Sequence, residues 1–350
     1  MGKFSKLTGI SVVVANMIGT GVFTSLGFQL LGIDSPFVIM MLWLVGGITA
    51  LCGALTYAEL AANLPRSGGE YNFLSRIYHP CAGFISGWVS ATIGFAAPVA
   101  LAAMTFAAYL KAVFPVISTI WSAALLVIVL TAAHCFSRKT SSGVQQIFTA
   151  VKVLLIILFC VIVFVWGSSP QHISLLPQSG DKQLLLSGAF AVSLIYVNYA
   201  YTGWNAATYL TSEIQNPQRN LPIVLAVGTA VVAALYMLLN FTFLSAAPIS
   251  SLEGKLEIGV IVANYALGDN AGRVMGVILA VLLISTVSAM TMAGPRVLQV
   301  IGEDFPVEKI KNRLQDLVDR LRGDQNKMYW LKLASAMMTT DTKPKVAYEE

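Results

Sequence analysis

Three stretches hold the residues whose types and spacing could do chemistry. The first is Ile18-Gly19-Thr20-Gly21, in the middle of Leu7–Ile33, a run of 27 residues without a charge. About 20 apolar residues cross a bilayer as a helix, so the run has the length of a span. Each glycine carries a helix penalty of roughly 1 kcal/mol, which predicts a break at mid-membrane. Lipid cannot partner the backbone groups freed there, so a break survives only where it lines a cavity or a site. The freed N–H groups suit a carboxylate and the freed carbonyls suit an ammonium, which together describe a zwitterion. The same small residues also serve as a helix-packing face. The second stretch is Asn198-Tyr199-Ala200-Tyr201-Thr202-Gly203-Trp204, polar, aromatic and interrupted by Gly203 inside another long apolar run. Two interrupted spans in corresponding halves of a chain are a sequence pointer to a central binding site.

The third is Lys152. If its span begins near Gly143, nine residues at roughly 1.5 Å each set it about 13 Å into the membrane. An unpaired ammonium there costs about 3 kcal/mol. Lys152 therefore pairs, loses its proton or snorkels to the surface.

The elements that must hold these residues follow from composition. Of 350 residues, 56% are hydrophobic and 11% charged, with mean hydropathy +0.73, which describes a polytopic membrane protein. Charge-free runs of span length are Leu7–Ile33, Ser35–Ala58, Cys81–Leu110, Ala112–Ala133, Val153–Gln171, Gln183–Ser212, Asn220–Leu252 and Val274–Pro295. They predict eight spans, near 7–33, 35–60, 81–110, 115–136, 143–167, 185–212, 220–247 and 272–300, in a membrane domain of residues 1–305. The formal charge of +5 reflects loop Lys and Arg and requires no nucleic acid. With the N-terminus inside, Lys3, Lys6, Arg66, Arg76, Arg138, Lys139, Arg219 and Arg296 fall on the cytoplasmic side. Lys111, Lys182, Lys255 and Arg273 fall outside, a count of eight against four. Leu64 to Tyr71 reads as a tight turn around Gly68-Gly69. Glu59, Arg66, Glu213, Arg219 and Arg296 are candidates for gating ion pairs. Gly83-x-x-x-Gly87 and Gly272-x-x-x-Gly276 read as packing motifs.

Cys52, Cys81, Cys135 and Cys160 are spaced singly, which suggests neither disulfides nor a metal site. His79, His134 and His172 read as loop or helix-end residues. No cleavable signal peptide is expected, because the first apolar run is too long for one. With no HExxH and no GxSxG, no enzyme is expected. Residues 306–350 hold 16 of the 39 charged residues. Ile310, Leu314, Leu317, Val318 and Leu321 recur there at helical spacing, predicting an amphipathic cytoplasmic tail.

Across Lys3 to Phe305 the chain resembles the amino acid–polyamine–organocation transporters, most of all their L-type amino acid transporter branch and its bacterial relatives. The matching pieces are Ile18-Gly19-Thr20-Gly21-Val22-Phe23, Tyr57-Ala58-Glu59-Leu60, Pro65-x-Ser67-Gly68-Gly69-Glu70-Tyr71 and Phe148-Thr149-Ala150-x-Lys152. Further on they are Tyr201-x-Gly203-Trp204-Asn205, Glu213-x-x-Asn216-Pro217-x-Arg219-Asn220-Leu221-Pro222, Ser285-Thr286 and Gly294-Pro295-Arg296-Val297. The resemblance implies an all-α, leucine-transporter-type 5+5 inverted repeat. Here it is incomplete, because the match stops after the eighth span. It implies that the Thr20 hydroxyl and the Gly19 and Gly21 N–H groups take the substrate carboxylate. Carbonyls of Met17, Tyr199, Ala200 and Thr202 would take its ammonium, with Tyr199 as an aromatic gate. It places Lys152 against spans one and eight, beside Ser285 and Thr286, as a fixed charge replacing sodium or as a proton site. Gly21→Leu is then expected to abolish binding in a protein that still folds.

No charge is expected at the centre of spans one, three, six or eight, so the expected substrate is a neutral amino acid. The function implied is sodium-independent amino acid transport across a plasma membrane, that of the bacterial inner membrane, by alternating access. It would be proton-coupled or an exchanger. The alternative is a transport-inactive amino-acid sensor or a truncated remnant. Expected partners are the amino acid, the lipid bilayer, and a second copy or partner subunit, with no cofactor and no metal.

Overall fold

The computed structural model describes residues 3–136, 138–167, 171, 173–268 and 270–305. His172 and the amphipathic tail expected beyond residue 305 lie outside them. The chain divides into two units, Met1–Leu298 and Gln299–Glu350. Of the second only 299–305 are described, helical through Asp304.

The first span is two helices, as the glycines predict. Helix α1 (Lys6–Met17) starts on a Ser5 cap that accepts from the Thr8 N–H, and α2 (Gly21–Leu30) resumes after Ile18-Gly19-Thr20. Helix α3 (Pro36–Asn63) starts on a Ser35 cap with proline at its first position. Gly68 and Gly69 have φ of 106° and 53°, left-handed values that glycine adopts without cost, and they form the expected turn. The chain then enters an unexpected helix, α4 (Glu70–Ile77). The third span runs through α5 (Pro80–Val89), a π-helical turn at Ser90–Ala96 and α6 (Ala97–Val113). Pro98 lacks the N–H that an α-helix would direct at Gly94, which favours the wider turn.

Helices α7 (Thr119–Phe136) and α8 (Arg138–Trp166) form spans four and five. A short helix, α9 (Asp181–Leu185), precedes the sixth span. That span is α10 (Gly188–Tyr201), then a break at Thr202-Gly203, then a 3₁₀ helix at Ala206–Glu213 in place of an α-helix. The Thr208 hydroxyl donates to the Asn205 carbonyl and the Thr211 hydroxyl to the Thr208 carbonyl, each at 2.7 Å. Such local bonds compete with α-helical pairing and favour the tighter helix.

Helix α11 (Pro217–Ala246) forms span seven. Short α12 (Ile249–Leu252) and α13 (Ile258–Leu267) follow, then α14 (Ala271–Ala293) and α15 (Pro295–Asp304). Six helical segments among the described residues are long and apolar enough to cross a membrane, and Thr119–Cys135 is a shorter apolar helix. The break keeps the sixth span's two pieces below span length. The core runs between α1, α3, α10, α11 and α14, and it is dominated by Val, Ile, Leu, Ala and three clustered aromatics. Gly83 and Gly272 pack as expected, with no room for a Cβ against Ser75 and Asn264.

Candidate functional site

The two breaks pack against each other, and glycine makes this possible at both. A Cβ on Gly21 would lie 3.0 Å from Ala200 Cα. Gly203 has φ 105°, and a Cβ there would lie 3.0 Å from the backbone of Asn16. Gly21→Leu would therefore drive a side chain into span-six backbone. This overturns the expectation that the variant folds and loses only binding. Gly19 differs, because the nearest neighbour of an added Cβ is Thr286 Cγ2 at 4.0 Å.

A cavity of about 260 Å³ lies where the breaks meet. Six of the seven residues expected at the site, Gly19, Thr20, Gly21, Tyr199, Ala200 and Thr202, line it, and so does the seventh, Met17. Span three contributes Gly94 and Phe95 from its π turn and Pro98 from the start of α6, and span eight contributes Thr286 and Met290. No Asp, Glu, Lys or Arg lines the cavity among the described residues. The first N–H groups of α2, at Gly21 and Val22, have no intrahelical partner and carry the positive end of the helix dipole.

Three of the four carbonyls expected to take an ammonium already have donors. The Tyr236 hydroxyl, fully buried on α11, donates towards Met17 O at 2.7 Å and Ala200 O at 2.9 Å. Tyr199 O accepts from the Thr202 N–H at 3.1 Å and from the Thr202 hydroxyl at 2.7 Å. A carbonyl has two lone pairs and Tyr236 has one proton, so acceptor capacity remains. Behind Tyr236, Trp43 and Tyr201 pack within 5.8 Å of one another, and the Tyr201 hydroxyl donates to Trp43 O.

Sequence reasoning missed four residues here. Tyr236 reads as a core aromatic in an apolar run. Asn16 lines the cavity with a buried Oδ1 that has no hydrogen-bond partner among the described residues, and its signal is an amide inside an apolar run. Asn205 and Tyr209 line the cavity from the second half of span six.

Lys152 does not snorkel. It is fully buried, and its Nζ donates to Ala15 O at 3.1 Å, Ile18 O at 2.6 Å and Thr286 Oγ1 at 2.7 Å. The Thr286 hydroxyl is also 2.8 Å from Ile18 O. Ser285 falls elsewhere: its Oγ is 3.4 Å from Thr149 Oγ1, away from the lysine's acceptors. A polar seam continues along α8. His134 contacts Ser141 at 2.6 Å and Ser288 at 3.0 Å, and Ser288 donates to Gln145 at 2.7 Å. His134 is at a helix end as expected, but it joins three helices there.

Beyond the cavity, a layer of contacts covers the second half of span six on the face that carries the N-terminus. Phe4 N–H donates to Glu213 O and Gln215 N–H to Phe4 O. Ser67 and Ser212 exchange N–H to Oγ bonds at 3.0 and 2.9 Å. Glu213 meets Arg296 at 2.8 Å. Of the five expected gating charges, these two form an ion pair. Glu59 and Arg219 are exposed.

Paired interrupted spans around a central cavity define a transport-type membrane fold. The family model for amino acid permeases matches residues 4–305, and the chain belongs to that family. The human b(0,+)-type amino acid transporter 1 is 27% identical over 317 residues, 88% of this chain and 64% of that protein. The mouse large neutral amino acids transporter small subunit 2 is 29% identical over 274 residues, 76% of this chain and 52% of that protein. The chain thus spans between half and two thirds of these curated relatives, whose names describe transporters and not enzymes.

Proposed function

We propose that this chain is an amino acid permease of the plasma membrane that binds a neutral amino acid where spans one and six break. The observation that carries this reading is the cavity itself. It offers the helix-start N–H of Gly21, carbonyls at Met17 and Ala200, and, among the described residues, no charged side chain. At about 260 Å³ it falls below the roughly 300–1,000 Å³ of drug-sized sites, so a small solute fits it. An acidic or basic side chain would enter without a partner, at a cost of a few kcal/mol. Transport proceeds by alternating access with the N-terminus in the cytoplasm, the side that carries most loop Lys and Arg.

Lys152 makes the cycle independent of sodium by holding a positive charge between the break of span one and Thr286 of span eight. Three acceptors match the three hydrogens of an ammonium, which favours a fixed cation over a proton carrier. That leaves exchange as the mode of transport. The relative named as a small subunit implies a larger companion, and a partner subunit is the corresponding proposal for this chain.

Counterflow in proteoliposomes tests the reading. Vesicles are preloaded with unlabelled neutral amino acids, and entry of labelled ones is followed without sodium. Entry that depends on the preload is expected. Its absence in folded, inserted protein would remove the reading.

A further inference from the structure

Glu70 is the first residue of α4, directly after the Gly68-Gly69 turn. Its carboxylate accepts from the Asn205 side-chain amide and from the Tyr209 hydroxyl. The Tyr57 hydroxyl lies beside the same group. Among the described residues Glu70 makes no ion pair, so neutral donors alone hold a charged group that is only partly exposed. Both donors face two ways, because Asn205 and Tyr209 also line the cavity. Tyr209 is buried against Phe95 of the π turn, with ring centroids 4.8 Å apart, and its hydroxyl reaches Ser90 at 3.3 Å.

We propose that Glu70 is the latch of the seal on the N-terminal face, a positioning residue that ties the second half of span six shut until the cavity is filled. Tyr209 has a single proton to donate. A solute that engages Tyr209 or Asn205 from the cavity side competes with Glu70 for the same hydrogens. The carboxylate then loses the donors that make its position favourable, and the second half of span six is free to leave. What fills the cavity rests on the permease reading above, whereas the latch itself rests on the contacts of Glu70 with Asn205 and Tyr209. The plainer role for Glu70 is that of an acid at a helix N-terminus. That role needs no particular partner and is indifferent to Tyr209.

The test reads the seal directly. In the full chain, with Cys52, Cys81, Cys135 and Cys160 replaced by serine, Ala102→Cys places a thiol on the cavity wall. A charged, membrane-impermeant thiol reagent is applied to each side of membrane vesicles in turn. Glu70→Gln is expected to raise labelling severalfold from the side that the N-terminal face meets, and Glu70→Asp to fall between. Tyr209→Phe is expected to raise it likewise, and the double variant to add nothing further. Labelling in folded Glu70→Gln protein equal to the parent, or additive effects of the two changes, would overturn the latch. If Glu70→Gln does not fold, unchanged labelling in Tyr209→Phe overturns it alone. Counterflow with unchanged labelling discards the latch and keeps the permease. Raised labelling without counterflow does the reverse.

Discussion

The Lys152 Nζ sits 2.6 Å from the Ile18 carbonyl, at the residue that ends the first half of span one. The C-terminal end of a helix leaves its last carbonyls without intrahelical donors, and the lysine supplies hydrogen-bond donors where α1 ends. Ala15 O and the Thr286 hydroxyl complete a three-fold set. The arrangement joins α8, α1 and α14 through one buried side chain.

Replacing Lys152 with methionine keeps the volume and removes three donors. Thr286 still reaches Ile18 O, while Ala15 O is left short, at roughly 1–3 kcal/mol for a buried acceptor without a partner. A lower melting temperature is expected, with uptake lost or much reduced. For the parent protein, counterflow should be level across the neutral pH range. A pH-dependent rate that Lys152→Met flattens would instead make the lysine a proton carrier.

The glycines at the span-one break should separate cleanly. Gly19→Ala adds a methyl with 4.0 Å of clearance, so the protein folds with a stability change of about 1 kcal/mol or less. The methyl crowds the N–H groups of the break, and amino acid affinity should fall about tenfold, or about 1.4 kcal/mol. Gly21→Leu should give little folded protein, because its side chain meets Ala200 backbone. Yield by size exclusion and binding by ligand-induced thermal shift distinguish the two. Equal yields would mean that the breaks are not in contact.

Both breaks were legible in the sequence because glycine and polar residues interrupt runs that are otherwise apolar. Lys152 was legible as a charge too deep for lipid to tolerate unpaired. The supports of the site were not. Tyr236 lies in an apolar run where an aromatic is an ordinary packing residue, and only the fold brings its hydroxyl between Met17 and Ala200, 219 and 36 residues away. Glu70 has the appearance of any acid opening a helix. The 3₁₀ form of the second half of span six depends on hydroxyls competing for carbonyls, which apolar periodicity does not register. The place of Gly21 needed a distance to Ala200 that spacing along the chain does not contain.

Tyr236→Phe tests the bridge between the breaks. It removes a shared hydroxyl and leaves Met17 O and Ala200 O without that donor, at roughly 1–3 kcal/mol. The ring still packs on Trp43 and Tyr201, so the protein should fold with a lowered melting temperature. An amino acid brings its own ammonium donors to these carbonyls. The thermal shift on adding substrate should therefore be larger in Tyr236→Phe than in the parent. A smaller shift would place the ammonium elsewhere.

The ion pair between Glu213 and Arg296 closes the same face as Glu70, but by a different route. Arg296 Nε meets one carboxylate oxygen at 2.8 Å and Nη2 the other at 3.4 Å, while Nη1 donates to Met292 O. The side chains are 20% and 12% exposed, so salt screens the pair only partly. Hydrogen bonds to charged groups contribute about 1.5–3 kcal/mol, which exceeds the usual worth of a surface pair. Arg296→Gln and Glu213→Gln should each lower the melting temperature, and the double variant should be no worse than the weaker single. Each should also raise labelling of a cavity cysteine from the N-terminal side, and raised salt should mimic them only weakly. Strict additivity, or full loss of the effect in high salt, would reduce the pair to a solvated surface contact with no part in holding the seal.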